Sequence, residues 1–431
     1  MPATATTRRY QVTDVDALEI LDSRGRPTLQ VAVTLADGTR GVAGVPSGAS
    51  TGSREAVERR DGDQSRYGGL GVLDAAGAVR GEIADRLRRQ SWADLAGIDA
   101  ALIELDGTPN KARLGANALV GTSMACARVL AAAKGRELWD WLAPAGVEPR
   151  LPVPHFNVVN GGVHAPNALD FQEFMIAPLG AGSFGEAVRA GAEVYAALRN
   201  LLAGQGYATG LGDEGGFAPQ LAEPEEVLSL LVTAIGDAGY SAGRDGVALA
   251  MDPAASEFRG GDGRYHVAGQ KLTSAEMIER YAQIVERFPV WLIEDGLAED
   301  DWDGWAELTA RLGDRVQLVG DDIFVTNPAI IAEAIGRGIG NAALIKVNQI
   351  GTVTETLEAV ATCRRGGYAQ FVSHRSGETT DTFIADLATG SGAGELKTGA
   401  PARGERVAKY NRLLEIAAAH PQLPYGLPPR R

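Results

Sequence analysis

Apolar and polar residues alternate with a period of two along residues 17–45. The runs ALEIL, TLQVAVTL and RGVAGV are separated by a turn at Asp22-Ser23-Arg24-Gly25-Arg26-Pro27 and by an Asp37-Gly38 step, which predicts antiparallel strands joined by hairpins. From about 73 to 142 the apolar spacing lengthens to three and four, as in ALVGTSMACARVLAAAKG, whose closing glycine suits a helix C-terminus. Strands followed by helices predict a small α+β unit. Leu151-Pro152-Val153-Pro154 marks its end. Beyond it, short continuous apolar runs alternate with helical segments to about residue 418, the pattern of a parallel sheet covered on both faces. Strands are expected near 153–159, 171–177, 247–252, 290–294, 316–320, 343–347, 368–373 and 394–397. Eight strands in about 270 residues is the size of a (β/α)8 barrel. The first two lie close together with no helix between them, so an irregular start is expected. The expected fold is α/β: an α+β N-terminal domain at 1–145, a (β/α)8-type barrel with irregular first strands at 146–420, and a loose proline-rich tail at 421–431.

Six of the barrel runs stop on an ionisable side chain: Asp252, Glu294, Asp321, Lys346, His374 and Lys397. The carboxyl ends of barrel strands carry the active site, so these groups are aimed at one mouth. Three acids beside two lysines point to a hard divalent cation and an anionic substrate, and Mg2+ takes such oxygen ligands. One acid at a strand end reads equally well as a residue favouring a helix N-terminus. Three on successive strands, with a lysine on the next, favour the ligand reading. Lys346, in ALIKVNQIG, sits in an apolar run where desolvation is costly; near bound cations its pKa is expected to fall, as a general base requires. A buried Lys–Asp pair is the plainer alternative. Lys397, in ELKTG, is placed to counter a substrate anion. His374-Arg375-Ser376-Gly377 offers a guanidinium fork and a hydroxyl for phosphate, or is a plain loop. Glu214 lies in a glycine-flanked loop, Gln172 and Glu173 in the strand FQEFMI, and His164 in the turn-like NGGVHA. Gly48-Ala49-Ser50-Thr51-Gly52 lacks the lysine of a nucleotide P-loop and reads as a mobile lid or a simple turn.

Composition narrows the partners. A net charge of −14 over 431 residues argues against nucleic acid or an anionic membrane. Two distant cysteines, Cys126 and Cys363, form no disulfide framework and fit a reducing cytoplasm. No run approaches the roughly 18 consecutive apolar residues of a membrane span, and MPATATTRRY lacks the apolar core of a leader, so none is expected. Gly180-Ala181-Gly182-Ser183-Phe184-Gly185 matches the dinucleotide fingerprint. Pro178 just before it, and the lack of a following strand ending in an acid, weigh against that reading.

The strings VPSGASTG, NGGVHA, QEFMIAP, GDEGGFAP, SEF, IEDGLAEDDW, GDDIFVTNP, IKVNQIGT, SHRSGET and KTGAP follow one another through nearly the whole chain, which thereby resembles the enolase (phosphopyruvate hydratase) family. The resemblance implies an N-terminal domain capping the barrel and a cytoplasmic, Mg2+-dependent hydro-lyase that interconverts 2-phosphoglycerate and phosphoenolpyruvate. It also implies a homodimer or a higher oligomer. Asp252, Glu294 and Asp321 would hold a first Mg2+ against the substrate carboxylate, and a second would arrive with substrate under Ser50 of the lid. Lys346 would remove the C2 proton, and Glu214, with Glu173, would protonate the departing C3 hydroxyl. His164, Gln172, His374 and Lys397 would line the substrate, while Arg375 and Ser376 would take the phosphate. The chain departs from the family in its first turn, where Arg26 replaces an asparagine, at interface ion-pair positions, where Leu18, Gln30, Glu415, Ala417 and Ala418 stand, and at Ala196, Thr380 and Gly404. These changes leave open a paralog of secondary metabolism that forms carboxyphosphonoenolpyruvate. A non-catalytic binding protein is a further alternative, which the intact acid, base and ligand set opposes.

Overall fold

The computed structural model describes residues 9–429; residues 1–8, most of the segment read for a leader, and the last two tail residues lie outside it. Strands β1 (Val12–Leu21), β2 (Pro27–Leu35) and β3 (Arg40–Gly44) form the expected antiparallel sheet. Asp22 closes the first turn by accepting from the backbone amides of Arg24 and Arg26 at 2.8 and 2.9 Å. The helix Ala116–Ala133 lies on β2 and β3. Gly41 permits the close approach, since a Cβ there would sit 2.3 Å from the Ala125 carbonyl oxygen. No membrane span was expected, yet this helix is long and apolar enough by length and composition; 83% of it is buried inside the protein, as befits a core helix.

Eight strands close a barrel in chain order: β4 (Val153–Asn160), β5 (Glu173–Ala177), β6 (Ala248–Asp252), β9 (Val290–Glu294), β10 (Gln317–Gly320), β11 (Ala342–Ile345), β12 (Ala369–Ser373) and β13 (Gly394–Lys397). A separate hairpin of β7 (Tyr265–Val267) and β8 (Gln270–Leu272) interrupts the connection from β6 to β9. The irregular start is a reversal: β5 pairs antiparallel with both β4 and β6, and the other pairs are parallel. The reversal disposes of the dinucleotide reading, because the glycine turn after β5 opens at the end of the barrel away from the mouth. Several of the helices that follow strands begin on side-chain caps, as at Thr273, whose hydroxyl accepts from Glu276 N while Glu276 reaches back to Thr273 N. Asn327 and Thr352 also cap, their side chains accepting from the first amides of the helices they precede.

The tail is anchored, contrary to the expectation of a loose end. Leu151 N donates to Pro424 O at 2.8 Å and Gly426 N to Leu151 O at 3.0 Å. The guanidinium of Arg150 donates to the carbonyls of Gly426 and Leu427 at 3.2 and 3.0 Å. Backbone bonds of this kind tie down a segment that proline content alone marks as free.

Candidate active site

The reversal of β5 decides where Glu173 goes. It begins its strand, whereas Asp252, Glu294 and Lys397 end theirs, and an antiparallel neighbour brings the two kinds of end together. Glu173 pairs in register with Asp252 on one side and Asn160 on the other. The Lys397 ammonium then gathers the acids, lying 2.8 Å from Glu173 Oε2, 2.8 Å from Glu294 Oε1 and 3.4 Å from Asp252 Oδ2. Lys346 and Asp321 stand one residue past the ends of β11 and β10, and the Lys346 ammonium donates directly to Asp321 Oδ2. The other Asp321 oxygen accepts from Gln349 Nε2 at 2.8 Å. Across the mouth, His164 Nδ1 lies 3.7 Å from both Glu173 Oε1 and Glu214 Oε1, and His374 Nε2 lies 3.3 Å from Glu214. All of these side chains except that of Lys346, which is slightly more open, are buried.

Burying so much charge moves its proton affinities. Burial first, then the charge of Glu214, pushes Glu173 well above the ordinary carboxylate range, with Lys397 opposing. Burial would raise Glu214 too, but His164 and His374 outweigh it and hold that carboxyl low. The proton affinities of these two neighbouring carboxyls are thus driven apart, that of Glu173 up and that of Glu214 down. Burial drives His374 down to about 3, so its imidazole is neutral. At Lys346 burial lowers the proton affinity, yet contact with Asp321 wins and holds it above its ordinary value. The pairing that the sequence left as the plainer alternative is therefore present.

A cation suits this mouth. Burial and the neighbouring Asp252 push Glu294 well above the carboxylate range, which is the mark of carboxylates crowded without enough positive charge. Its second oxygen, Oε2, is buried and has no hydrogen-bond partner, as have Gln172 Oε1, Glu214 Oε2 and both ring nitrogens of His164. Buried polar atoms are rarely left so, and their concentration here points to ligands. Two compact groups with metal-binding donors occur among the described residues: His164 with Glu173 and Glu214, and Asp295 with Asp321 and Asp322. Asp252, Glu294 and Asp321 share the mouth without forming a third such group. Asp295 serves the backbone, accepting from the amides of Asp321 and Asp322 at 2.8 and 2.9 Å.

At the rim, the segment after β3 folds over the barrel. Ser47 and Gly377 exchange backbone bonds of 2.8 and 2.9 Å, and the Ser50 carbonyl accepts from Arg375 Nη2 at 3.1 Å. Gly48 must be glycine for this contact, because a Cβ would lie 2.1 Å from Arg375 Nη2. A cavity of about 320 Å3 opens beside Arg375, lined by Gly48, Thr51, Glu55, Asn117 and Asn348 among others. Ser376 Oγ accepts from Arg24 Nη1 at 3.2 Å, so its hydroxyl is oriented from the first domain.

Residues 12–142 match the family described as "Enolase, N-terminal domain", and residues 148–422 match "Enolase, C-terminal TIM barrel domain". The chain belongs to the enolase family. It is 58% identical over 402 residues to "Enolase" of Acidothermus cellulolyticus, covering 93% of each chain. It is 55% identical over 421 residues to "Enolase" of Rubrobacter xylanophilus, covering 96% of this chain and 97% of that one. Within this enolase framework several side chains at the site escaped the sequence reading. Arg406, fully buried, donates to His374 Nδ1 at 2.6 Å and to the carbonyls of Arg375 and Ser376 at 2.7 and 2.6 Å, fixing the loop they share. Its helical context, ARGERVAKY, gives no hint of this. Asn157 Nδ2 donates to Glu173 Oε2. Gln349 and Arg24 did fall within quoted motifs, IKVNQIGT and the first turn, and only their partners were missing.

Proposed function

We propose that the chain is a hydro-lyase interconverting 2-phosphoglycerate and phosphoenolpyruvate, with Lys346 and Glu214 working from opposite sides of the mouth. The observation that carries this reading is the separation of the Lys346–Asp321 pair from the His164–Glu173–Glu214 group, with Lys397 joining Glu173 of the latter to Glu294 and Asp252. A proton beside a carboxylate is very weakly acidic, so its removal needs a strong base and positive charge against the carboxylate. Lys346 is the base for the C2 proton. Glu214, positioned with Glu173, protonates the departing C3 hydroxyl. His164, Gln172, His374 and Lys397 line the substrate, and Arg375 and Ser376 hold its phosphate.

Asp252, Glu294 and Asp321 would hold one Mg2+, with a second arriving with substrate beside Ser50. Bound there, Mg2+ supplies the positive charge that the substrate carboxylate needs as its neighbouring proton leaves. As a ligand, Asp321 would share with the cation the carboxylate that now pairs with Lys346. Two domains, 1–145 and 146–420, and a cytoplasmic homodimer complete the reading. Leu18 and Leu21 of β1, each more than half exposed, support an apolar contact between subunits in place of the ion pairs. Sedimentation across a salt series checks it, and a monomer at micromolar concentration would reject it.

Steady-state turnover of 2-phosphoglycerate, compared with its carboxyphosphono analogue and repeated with a chelator, tests the activity. Preference for the analogue would overturn the substrate; the 55–58% identity to proteins named "Enolase" favours 2-phosphoglycerate. Turnover that survives chelation would overturn the metal requirement. Asp321→Ala is expected to abolish turnover and weaken Mg2+ binding in a calorimetric titration while the protein remains folded.

A further inference from the structure

We propose that Glu55, on the segment that folds over the rim, is a positioning residue that aims Arg375 at the substrate phosphate; the proposal rests on the function given above. A guanidinium carries four Nη hydrogens and one on Nε. In Arg375 the four are spoken for: Nη1 donates to Glu55 Oε2 at 2.9 Å and Asn348 Oδ1 at 3.2 Å, and Nη2 to Glu55 Oε1 and Ser50 O at 3.1 Å each. Among the described residues no acceptor meets Nε, so that edge is the one left for an anion. Both side chains are nearly withdrawn from water, with 3% of Arg375 and 9% of Glu55 exposed. A two-point contact between a carboxylate and the guanidinium plane fixes rotation as well as distance, which a single hydrogen bond does not.

Glu55 is itself held. Its Oε1 accepts from Gly52 N at 3.2 Å and Gln349 Nε2 at 3.1 Å. Gln349 Nε2 also donates to Asp321 Oδ1 at 2.8 Å, and Asp321 Oδ2 takes the Lys346 ammonium. One chain of contacts therefore runs from the phosphate arginine, through Glu55 and Gln349, to the acid beside the proton-removing lysine. Glu55 comes from the first domain and every other member from the barrel. The separation between phosphate seat and base is thus set by a residue that neither takes the proton nor touches the substrate. A plain inter-domain staple would hold the domains without affecting how phosphate is bound, and kinetics separate the two roles.

The test uses the full chain with Mg2+. Glu55→Gln is expected to raise KM for 2-phosphoglycerate about tenfold while kcat changes less than about threefold. Glu55→Asp, which keeps the charge but shortens the reach, should fall between it and the unaltered protein. With Arg375→Lys there is no fork left to aim, so adding Glu55→Gln should raise KM no further. Inorganic phosphate, titrated calorimetrically, should bind Glu55→Gln about tenfold more weakly, and this readout does not depend on turnover. An unchanged KM and phosphate affinity, or the same loss with and without Arg375, overturns the proposal. If Glu55→Gln does not fold, phosphate affinity of Glu55→Asp decides in the same way. Failure of the unaltered protein to turn over 2-phosphoglycerate overturns the function instead, with phosphate binding still judging Glu55.

Discussion

The inner wall of the barrel has two levels built from the same strands. At the lower level Ala250, Leu292, Val319 and Leu344 pack with Met175 and Phe371 in one apolar cluster. Two residues further along lie Asp252, Glu294, Asp321 and Lys346, and side chains two apart on an extended chain face the same way. On the reversed β5 the step runs backwards, from Met175 to Glu173. One level stabilises the fold by burying hydrocarbon, and the next withdraws charges from water and sets them against one another. A buried ion pair is weak evidence for stability, and breaking one is expensive. The contrast teaches that the upper level is maintained for chemistry at the expense of the fold, while the lower level supports it.

The comparison can be broken most forcefully at Lys346. Lys346→Ala is expected to lower exchange of the C2 proton with solvent deuterium by roughly 10^2–10^4, and to cost about 3–5 kcal/mol of stability because buried Asp321 is left without its ammonium. Glu214→Gln should impair dehydration yet leave that exchange measurable by NMR, since proton removal precedes loss of hydroxide. Equal loss of exchange in both would reject the division between base and acid. Lys397→Met attacks the upper level from its centre, leaving Glu173 and Glu294 without their shared ammonium. A loss of about 3–5 kcal/mol in denaturant unfolding is expected, and added Mg2+ should restore part of it. Directly beneath Lys346, Leu344→Ala should cost about 2–5 kcal/mol of stability while leaving kcat per folded molecule close to normal.

A smaller effect sharpens the rule at a buried acid far from the mouth. Asp99 accepts from the backbone and hydroxyl of Thr354, at the start of the helix Val353–Arg365, and among the described residues no cation pairs with it. Burial raises it from 3.8 to about 6, with Thr354 and Ser123 opposing and Glu355 adding to the rise. A carboxyl raised on folding contributes stability below its unfolded value and loses that contribution as pH rises through its folded value. The loss from pH 4 to above 6 is about 3 kcal/mol. Asp99→Asn should therefore gain on the unaltered protein as pH rises from 4.5 to 7.5, in thermal midpoints read at both ends. A constant gap would mean that Asp99 does not titrate in this range.

Strand ends were legible because an apolar run that stops on a charge carries its own punctuation, and Asp252, Glu294, Asp321, Lys346 and Lys397 all followed from it. The reversal of β5 was half legible: the missing helix between β4 and β5 was visible, but its consequence, that Glu173 reaches the mouth from the start of its strand, was not. Direction of pairing is a tertiary outcome that a five-residue strand does not encode. Which acid Lys346 meets was not legible for a related reason, since the contact joins it to Asp321, 25 residues away. Glu55 was beyond reach of pattern altogether. It is a polar residue in a loop, and its role lies in a contact with a guanidinium 320 residues distant.

Asn157 brings time into this architecture. Its amide nitrogen meets Glu173, 16 residues on, across the local β4–β5 hairpin, whereas its oxygen accepts from Gly399 N, 242 residues on, where β13 seals the barrel. Short-range pairings form before long loops can close. During folding the first contact can therefore exist while the second still waits for the last strand, and pulse-labelled hydrogen exchange should find the β4–β5 amides protected ahead of those of β13. Half of this asparagine's work belongs to the first moments of the chain's folding and half to the last.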